Sequence, residues 1–250
     1  MPPRTPPKRT ARRKGTSRHT LIWERLGERP AAGPAALTTD RIIQIARKLA
    51  DREGLETLSM RRIAAELGSG VMSLYHYVPS KNDLMDLLLD AAMGEIEVPE
   101  KPSGDWRANL YNIANRTREC LKRHPWLLTL LHTRPALGPK RLAQFEASLA
   151  AVQELGLDIK TMHRMVVFLY IYVLGFVSME LSEAEALRRQ EFNKLPLPYM
   201  DRLFATGAFP NFARLVGDGK HPPSADAFFE DGLQFVLEGM AAQMKSSRRS

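Results

Sequence analysis

Between Gly70 and Lys81 the chain carries Met72, Ser73, Tyr75, His76, Tyr77, Ser80 and Lys81, with Arg61 and Arg62 a short step upstream. Hydroxyls, phenols, an imidazole, an ammonium and two guanidinium groups at this density can bind phosphates and the edges of bases. They do not make a catalytic set. The chain has no Gly-rich phosphate loop, no G-x-S-x-G and no H-E-x-x-H. The six histidines are scattered without ligand spacing, and the single cysteine, Cys120, excludes an intramolecular disulfide and a Cys-cluster metal site. The expectation is therefore a binding protein without catalytic residues, metal or cofactor. Glu180, Glu183 and Glu185 read as a solvated face, His124 as a helix-end residue, and Cys120 as a small core residue.

The elements that must hold these residues are legible. Ser59 can cap a helix in which Met60, Ile63, Ala64 and Leu67 form one apolar stripe. Gly68-Ser69-Gly70 stops it, because glycine accepts the left-handed backbone of a sharp turn. The next helix buries Val71, Leu74 and Val78, turns Met72, Ser73, Tyr75, His76 and Tyr77 elsewhere, and ends at Pro79 after about two turns. A helix this short needs a partner, which Thr38 or Thr39 begins: Ile42, Ile45, Ala46 and Leu49 form its stripe, and Gly54 ends it. Ser80, with Asp83 three residues on, caps a further helix with Leu84, Leu87, Leu88 and Ala91 on one side. A short exposed helix set at an angle by a preceding one is the layout of a helix-turn-helix reader of the major groove.

The run Leu55 to Leu88 closely resembles the N-terminal module of TetR-type transcriptional regulators: an apolar-Arg-x-Ile-Ala-x-x-Leu-Gly helix, a Ser-Leu-Tyr-x-Tyr-Val reading helix and a Ser-Lys-x-x-Leu helix start. The resemblance implies double-stranded DNA as partner and a palindromic operator. It places Arg61 like the family's guanine-contacting arginine, and Tyr75, His76, Ser80 and Lys81 as backbone contacts. Gly70, Val71, Met72 and Ser73 are left at the base edges, with Ser59, Arg62 and Tyr77 completing the candidate DNA-binding set.

The net charge of +8 is concentrated in the first 36 residues, where nine basic residues face two acidic ones, for +7. Residues 37 to 93 sum to −1, so DNA binding in the module must come from placement of charge rather than its amount. Residues 1–36 are Pro-rich and apolar-poor and are expected to form a disordered basic arm; Trp23, within LIWERL, is its one unusual residue, and either docks locally on the folded part or has no role. No apolar signal segment is visible, and the longest apolar run, Val166 to Val177, is about 12 residues against the ~20 of a membrane span. A soluble cytoplasmic protein with no membrane partner is expected.

The charged, Pro-containing stretch Glu95 to Gly104 suggests a boundary, giving a reading domain at 37–94 and a second domain at 95–250. With no strand-like alternation anywhere in the latter, the fold class is all-α. Helices are expected at Trp106 to Arg123, Trp126 to His132, Pro139 to Leu155, from an Asp158 cap through about Arg189, around Pro198 to Phe204, and at about Ala225 to Met244. The long one is apolar on every face in its middle, MVVFLYIYVLGFV, which predicts burial on all sides and a partner subunit to provide it. The family resemblance implies that it and the last helix pair with their copies about a two-fold axis, as a homodimer.

Leu130 to Glu180 also resembles the ligand domain of the tetracycline-repressor subgroup, through Thr133-Arg134-Pro135, Gly156 and Gly175. That implies a small-molecule effector lined by Leu130, Arg134, Phe145, Ser148, His163 and Val166, with Met165 and Phe168 as neighbours, and with Arg134 and His163 as polar contacts in an apolar cavity. The subgroup's metal-holding histidine and glutamate fall at Leu130 and Met179 here, so no metal-chelated drug is expected, and an apolar or aromatic molecule is. The reading is a ligand-responsive regulator, a repressor released from its operator; the alternative is a DNA-binding interaction or architectural protein whose second domain only dimerises. Removing residues 1–34 is expected to weaken binding to specific and random DNA by similar factors, and to flatten the slope of log affinity against log salt by ~0.9 for each phosphate that the arm neutralises. An unchanged slope in a salt titration would reduce the arm to a solubilising tail.

Overall fold

The computed structural model describes residues 21–26, 37–97, 102–135, 137–189, 197–217 and 224–247, and within these every regular element is helical. Most of the N-terminal arm and part of the expected boundary stretch lie outside the described residues. The reading module is α2 (Thr39–Glu53), α3 (Met60–Leu67) and α4 (Val71–Tyr77), preceded by a five-residue α1 (Ile22–Leu26) and followed by α5 (Lys81–Met93). Thr38 Oγ1 accepts the Arg41 N–H at 3.1 Å and Ser59 Oγ accepts the Arg62 N–H at 3.2 Å, so both helices start at the hydroxyls that sequence marks. Gly68 closes α3 at φ 62, where a side chain would be strained, while Gly70 sits at an ordinary φ of −71. Ile42, Ala46, Ile63, Leu74, Val78 and Leu84 are buried together beneath the module.

The second domain is α6 (Trp106–Arg123), α7 (Trp126–Thr133), α8 (Pro139–Ala150), α9 (Ile159–Arg188), α10 (Leu197–Ala205), α11 (Pro210–Gly217) and α12 (Ala225–Ser247). α8 is shorter than its periodicity suggests: a 3-10 turn, Gln153–Leu155, takes its last residues to Gly156 at φ 66. Asp158 accepts the N–H groups of Lys160 and Thr161 and starts α9. α9 is long and apolar enough to cross a membrane, but here it packs against α6, α8 and α12, with Val166, Leu169, Val173 and Val177 fully buried. It is not buried all round, however: Phe168 and Ile171 are 60% and 57% exposed. α12 divides in the same way, with Phe229, Leu233 and Leu237 inside and Phe228 and Phe235 outside. The stretch 197–217, in which sequence marks at least one helix, holds two, separated by a short turn around Gly207 at φ 68.

Two further features depart from the sequence reading. Ile22 is buried and α1 packs on α5, so at least this piece of the arm is docked on the folded domain; a deletion that tests the basic residues alone should stop at residue 20. Glu180 does not belong to a solvated face. Its carboxylate takes Arg118 at 2.8 and 3.0 Å and Lys122 at 2.7 Å, and Arg118, stacked over Phe229 at 4.5 Å, also reaches Asp226. This group bolts α6, α9 and α12 together.

Burial opposes ionisation of Glu180, but the hydrogen bonds from Arg118 and Lys122 outweigh it and hold the carboxyl below the usual carboxylate range. Because the folded value is the lower one, the contribution is complete above the unfolded pKa of about 4.3 and is lost as pH falls below it towards the folded value. Arg118→Ala leaves the Glu180 carboxylate to Lys122 alone and is expected to cost about 2 kcal/mol in urea unfolding at pH 7. The variant should then lose less stability than wild type between pH 5 and pH 3; equal losses would mean the bolt contributes nothing.

Candidate functional site

α3 and α4 meet at the Gly68–Gly70 turn so that α4 presents one side outward. Met72 at its front is 75% exposed and Tyr75 is 40% exposed, with Ser73, His76 and Gly70 also at the surface. Arg61 lies exposed in the first turn of α3, and among the described residues no carboxylate pairs with it. Arg62 is held differently: its guanidinium bonds Glu53 at 3.0 Å, which draws it back towards α2. Lys81 is exposed in the first turn of α5. The Ser80 hydroxyl there accepts the Asp83 N–H at 3.0 Å and donates to Asp83 Oδ2 at 2.7 Å, so its first task is to cap α5. Ser59 is likewise engaged in capping α3. Tyr77, expected on the outer face, is half-buried and packs against the core, and Val71 is partly covered as well. The exposed set is thus Arg61, Gly70, Met72, Ser73, Tyr75, His76 and Lys81, on three adjoining helix ends.

The candidate effector residues are brought together only in part. Phe145 stacks on Tyr170 at 6.2 Å and meets His163 edge-on at 5.9 Å. Ser148, fully buried, shares a hydrogen bond with the Tyr170 hydroxyl at 2.9 Å, and Gln144 donates to the same oxygen. Arg141 lies 4.6 Å over the Tyr170 ring. This is a polar cluster inside the apolar contact of α8 with α9, where Val166 is buried too; Leu130, on α7, is buried. Two expectations fail. His163 is exposed rather than enclosed. Arg134 turns towards the reading module, bonding Asp86 at 2.5 Å and Asn82 at 2.6 and 3.2 Å, because those acceptors on α5 lie beside the end of α7.

A second joint links the halves. The His124 ring, 3% exposed, has Asp51 of α2 at 2.6 Å on one nitrogen and Glu95 at 3.1 Å on the other. Trp126 donates to Asp51 at 2.6 Å, while Arg47 and Arg123 hold Glu95. Burial pushes the Glu95 carboxyl up, yet the bond from His124 and the charge of Arg47 bring it below its ordinary range. Cys120, beside this joint, is pushed up to about 12 by burial and stays an inert thiol. His124 is therefore an interdomain bridge rather than a simple helix end. No local pattern announces it, since its partners lie 29 and 73 residues away.

Residues 98–244 match the sequence profile described as "Tetracyclin repressor-like, C-terminal domain", and residues 42–88 that of "Bacterial regulatory proteins, tetR family". The chain belongs to the TetR family. The HTH-type transcriptional repressor DrrR1 of Streptomyces coeruleorubidus is 39% identical over 235 residues, covering 91% of this chain and 86% of the relative. The tetracycline repressor protein class E of Escherichia coli is 25% identical over 218 residues, covering 86% and 96%. Among solved structures, apo ActR from Streptomyces coelicolor superimposes with a TM-score of 0.69 at 29% identity, covering 87% of this chain and all of that one. ActR in complex with actinorhodin superimposes at 0.68 and 29% identity, covering 84% and 99%.

In this TetR-family chain an open groove of about 510 Å³ runs between α9 and α12, lined by Phe168, Ile171, Phe235, Val236, Met240 and their neighbours. The groove is mostly apolar, with Thr161, Arg164 and Gln243 at its polar positions. Phe235, 74% exposed at the groove, contributes little to the isolated fold, and an exposed apolar patch of this kind suits an interface with a second copy. Sedimentation velocity of the wild type at micromolar concentration is expected to give a dimer, and Phe235→Glu a folded monomer. A wild-type monomer would refute the assignment of this face.

Proposed function

We propose that the chain is a homodimeric transcriptional repressor that holds a palindromic operator and is released from it by a small, largely apolar effector, probed most directly with planar aromatic compounds. The observation that carries the reading is the exposed front of α4, Met72 and Ser73 at its tip and Tyr75 and His76 along its side, set between Arg61 and Lys81 on neighbouring helix starts. The relatives support the control: DrrR1 is named a repressor, and ActR is seen with actinorhodin. The protein works on DNA in the cytoplasm and has no membrane partner.

Base reading falls to Arg61, whose fork suits the O6 and N7 acceptors of guanine, and to apolar contact of Met72 with thymine methyl groups. Gly70 has an ordinary backbone angle, and an added Cβ would have only an ordinary 3.7 Å contact with Ser73 Oγ. The fold therefore does not demand glycine there, which leaves the backbone open to close approach by DNA. Lys81, at a helix N-terminus whose first N–H groups and dipole favour an anion, sets register on phosphate. In a dimer two such heads must meet half-sites about one helical turn, ~34 Å, apart. An effector that parts α8 from α9 at Tyr170 changes that spacing through α5, against which both α7 and α8 pack.

The α8–α9 contact is filled by Tyr170 in the described structure, which also suits a second domain that only dimerises; a compound that binds and releases DNA excludes that reading. Arg61→Ala is expected to cost about 1–3 kcal/mol on an operator recovered from a random DNA pool and to relax preference at one symmetric base position, while Lys81→Ala weakens all sequences nearly equally. Titrating both variants against a panel of single-base changes decides the roles. A uniform loss for Arg61→Ala would make it another phosphate clamp.

A further inference from the structure

We propose that Asp90 is the positioning residue that couples the two domains: rooted on α5 of the reading module, its carboxylate serves as the N-terminal cap of α8, so that α8 and α5 move as one. The inference rests on the regulator reading above and names the atoms through which that regulation passes. α8 has no cap of its own. Its flanking residue is Gly138, without a side chain, followed by Pro139, which lacks an N–H. The N–H groups that follow must find an acceptor elsewhere, since a buried helix start leaves them without intrahelical partners. Asp90 Oδ1 takes the Arg141 N–H at 2.9 Å, and the carboxylate also receives the backbone of Lys140.

The fit leaves no slack. A Cβ on Gly138 would stand 2.1 Å from Asp90 Oδ1, so glycine is required there by the carboxylate's approach and not by its φ of −69. A Cβ on Gly94, just past α5, would meet the Lys140 side chain, 3.2 Å from its Cβ, so the start of α8 also lies close to the end of α5. Asp90 itself is 4% exposed. Leu21 and Trp23 of the docked arm segment close a small cavity over it, about 40 Å³, beside Leu137 and Arg141. Burial raises the Asp90 carboxyl above its ordinary value, and the Arg141 and Lys140 N–H groups pull it back only in part. Loss of the helix start that it caps would leave an unsatisfied buried acid.

Each end of the linkage reaches a site. Arg141, whose N–H is held, lays its guanidinium over Tyr170, and Gln144 and Ser148 on the same helix bond the Tyr170 hydroxyl. At the other end Asp90 stands ~14 Å along α5 from Ser80 and Lys81, at 1.5 Å rise per residue. A helix carrying its own cap could shift without α5; one capped from the other domain cannot shift without breaking charge-assisted bonds or dragging α5 with it. The Arg134 bonds to Asp86 and Asn82 fasten the preceding loop to the same helix, one turn nearer the DNA.

Coupling between sites is reciprocal, so operator occupancy must be felt at α8 and α9, and no effector is needed to detect it. Amide hydrogen exchange of the full-length protein, free and bound to an operator selected from a random pool, is expected to change on DNA binding at 139–148 and around Tyr170. Asp90→Ala should bind the same DNA with unchanged affinity and lose that response, and Asp90→Asn, which keeps an acceptor oxygen for the cap, should recover it. A merely structural role predicts looser exchange in both free and bound states with the response intact, and that result overturns the proposal. So does a wild type that binds DNA with no change in α8 or α9. If Asp90→Ala does not fold, Gly138→Ala, which displaces the carboxylate without removing it, is read by the same criteria. A wild type that enriches no DNA sequence sinks the regulator reading instead, and the coupling role falls with it.

Discussion

The structure depends on α5 being buried from both sides at once. Leu84, Leu87, Leu88, Leu89, Ala92 and Met93 are all at most 2% exposed, which a 13-residue helix achieves only when covered around nearly its whole circumference. α2 covers one side, α7 and α8 another, and α1 a third. Full burial of each such side chain stabilises by roughly 1.5–3 kcal/mol relative to exposure, so neither domain is complete without the helix they share. The reading head thus cannot rotate freely on a linker. Its orientation is set by whatever sets α5, and this is the physical basis for control of DNA binding from a distance.

Polar groups placed in that shared core then give it direction. Apolar packing alone would tolerate sliding, because dispersion contacts are short-ranged but not oriented. Asp86 and Asp90, one turn apart on α5, accept from Arg134 and from the start of α8, and Asp51 with Glu95 clasp His124. Each is a partly or wholly buried charge that is costly unless its partners stay in place. Such bonds break in steps rather than yielding gradually, so the domain contact favours distinct arrangements over a continuum. A regulator requires that property. The Arg118–Glu180 bolt does the same for α6, α9 and α12, and so keeps the apolar α9–α12 face in the shape a second copy would meet.

The capping signals in the sequence hold in the structure. The caps at Thr38, Ser59, Ser80 and Asp158 sit at the helix starts where their hydroxyls and carboxylate point to a start, since a cap bonds an N–H only two or three residues away. The helix-turn-helix, the all-α class and the family were readable for the same reason: apolar periodicity and turn glycines act over a few residues. The arm as a whole was read from composition, which describes an average; Trp23 within LIWERL was the one local sign of docking, and which residue is buried there, Ile22, came from its packing on α5.

Long-range pairing had to come from the tertiary structure. Tyr77 looks like its exposed neighbour Tyr75 in sequence, but it stands about 60° round the helix from buried Leu74 against about 100° for Tyr75, so that it is covered where Tyr75 is not. Arg134 and His163 were placed in a cavity as polar residues of an apolar region; their directions were set by acceptors 48 and 52 residues away in one case, and in the other by the side of α9 that α8 leaves open. Glu180, Asp90 and His124 have ordinary surroundings in the chain and buried ones in the fold. Sequence determined which segments become helices and which face of each is apolar, because those follow from neighbours along the backbone. Only the packing decided which charges meet, because a hydrogen bond depends on distance in space and is indifferent to separation along the chain.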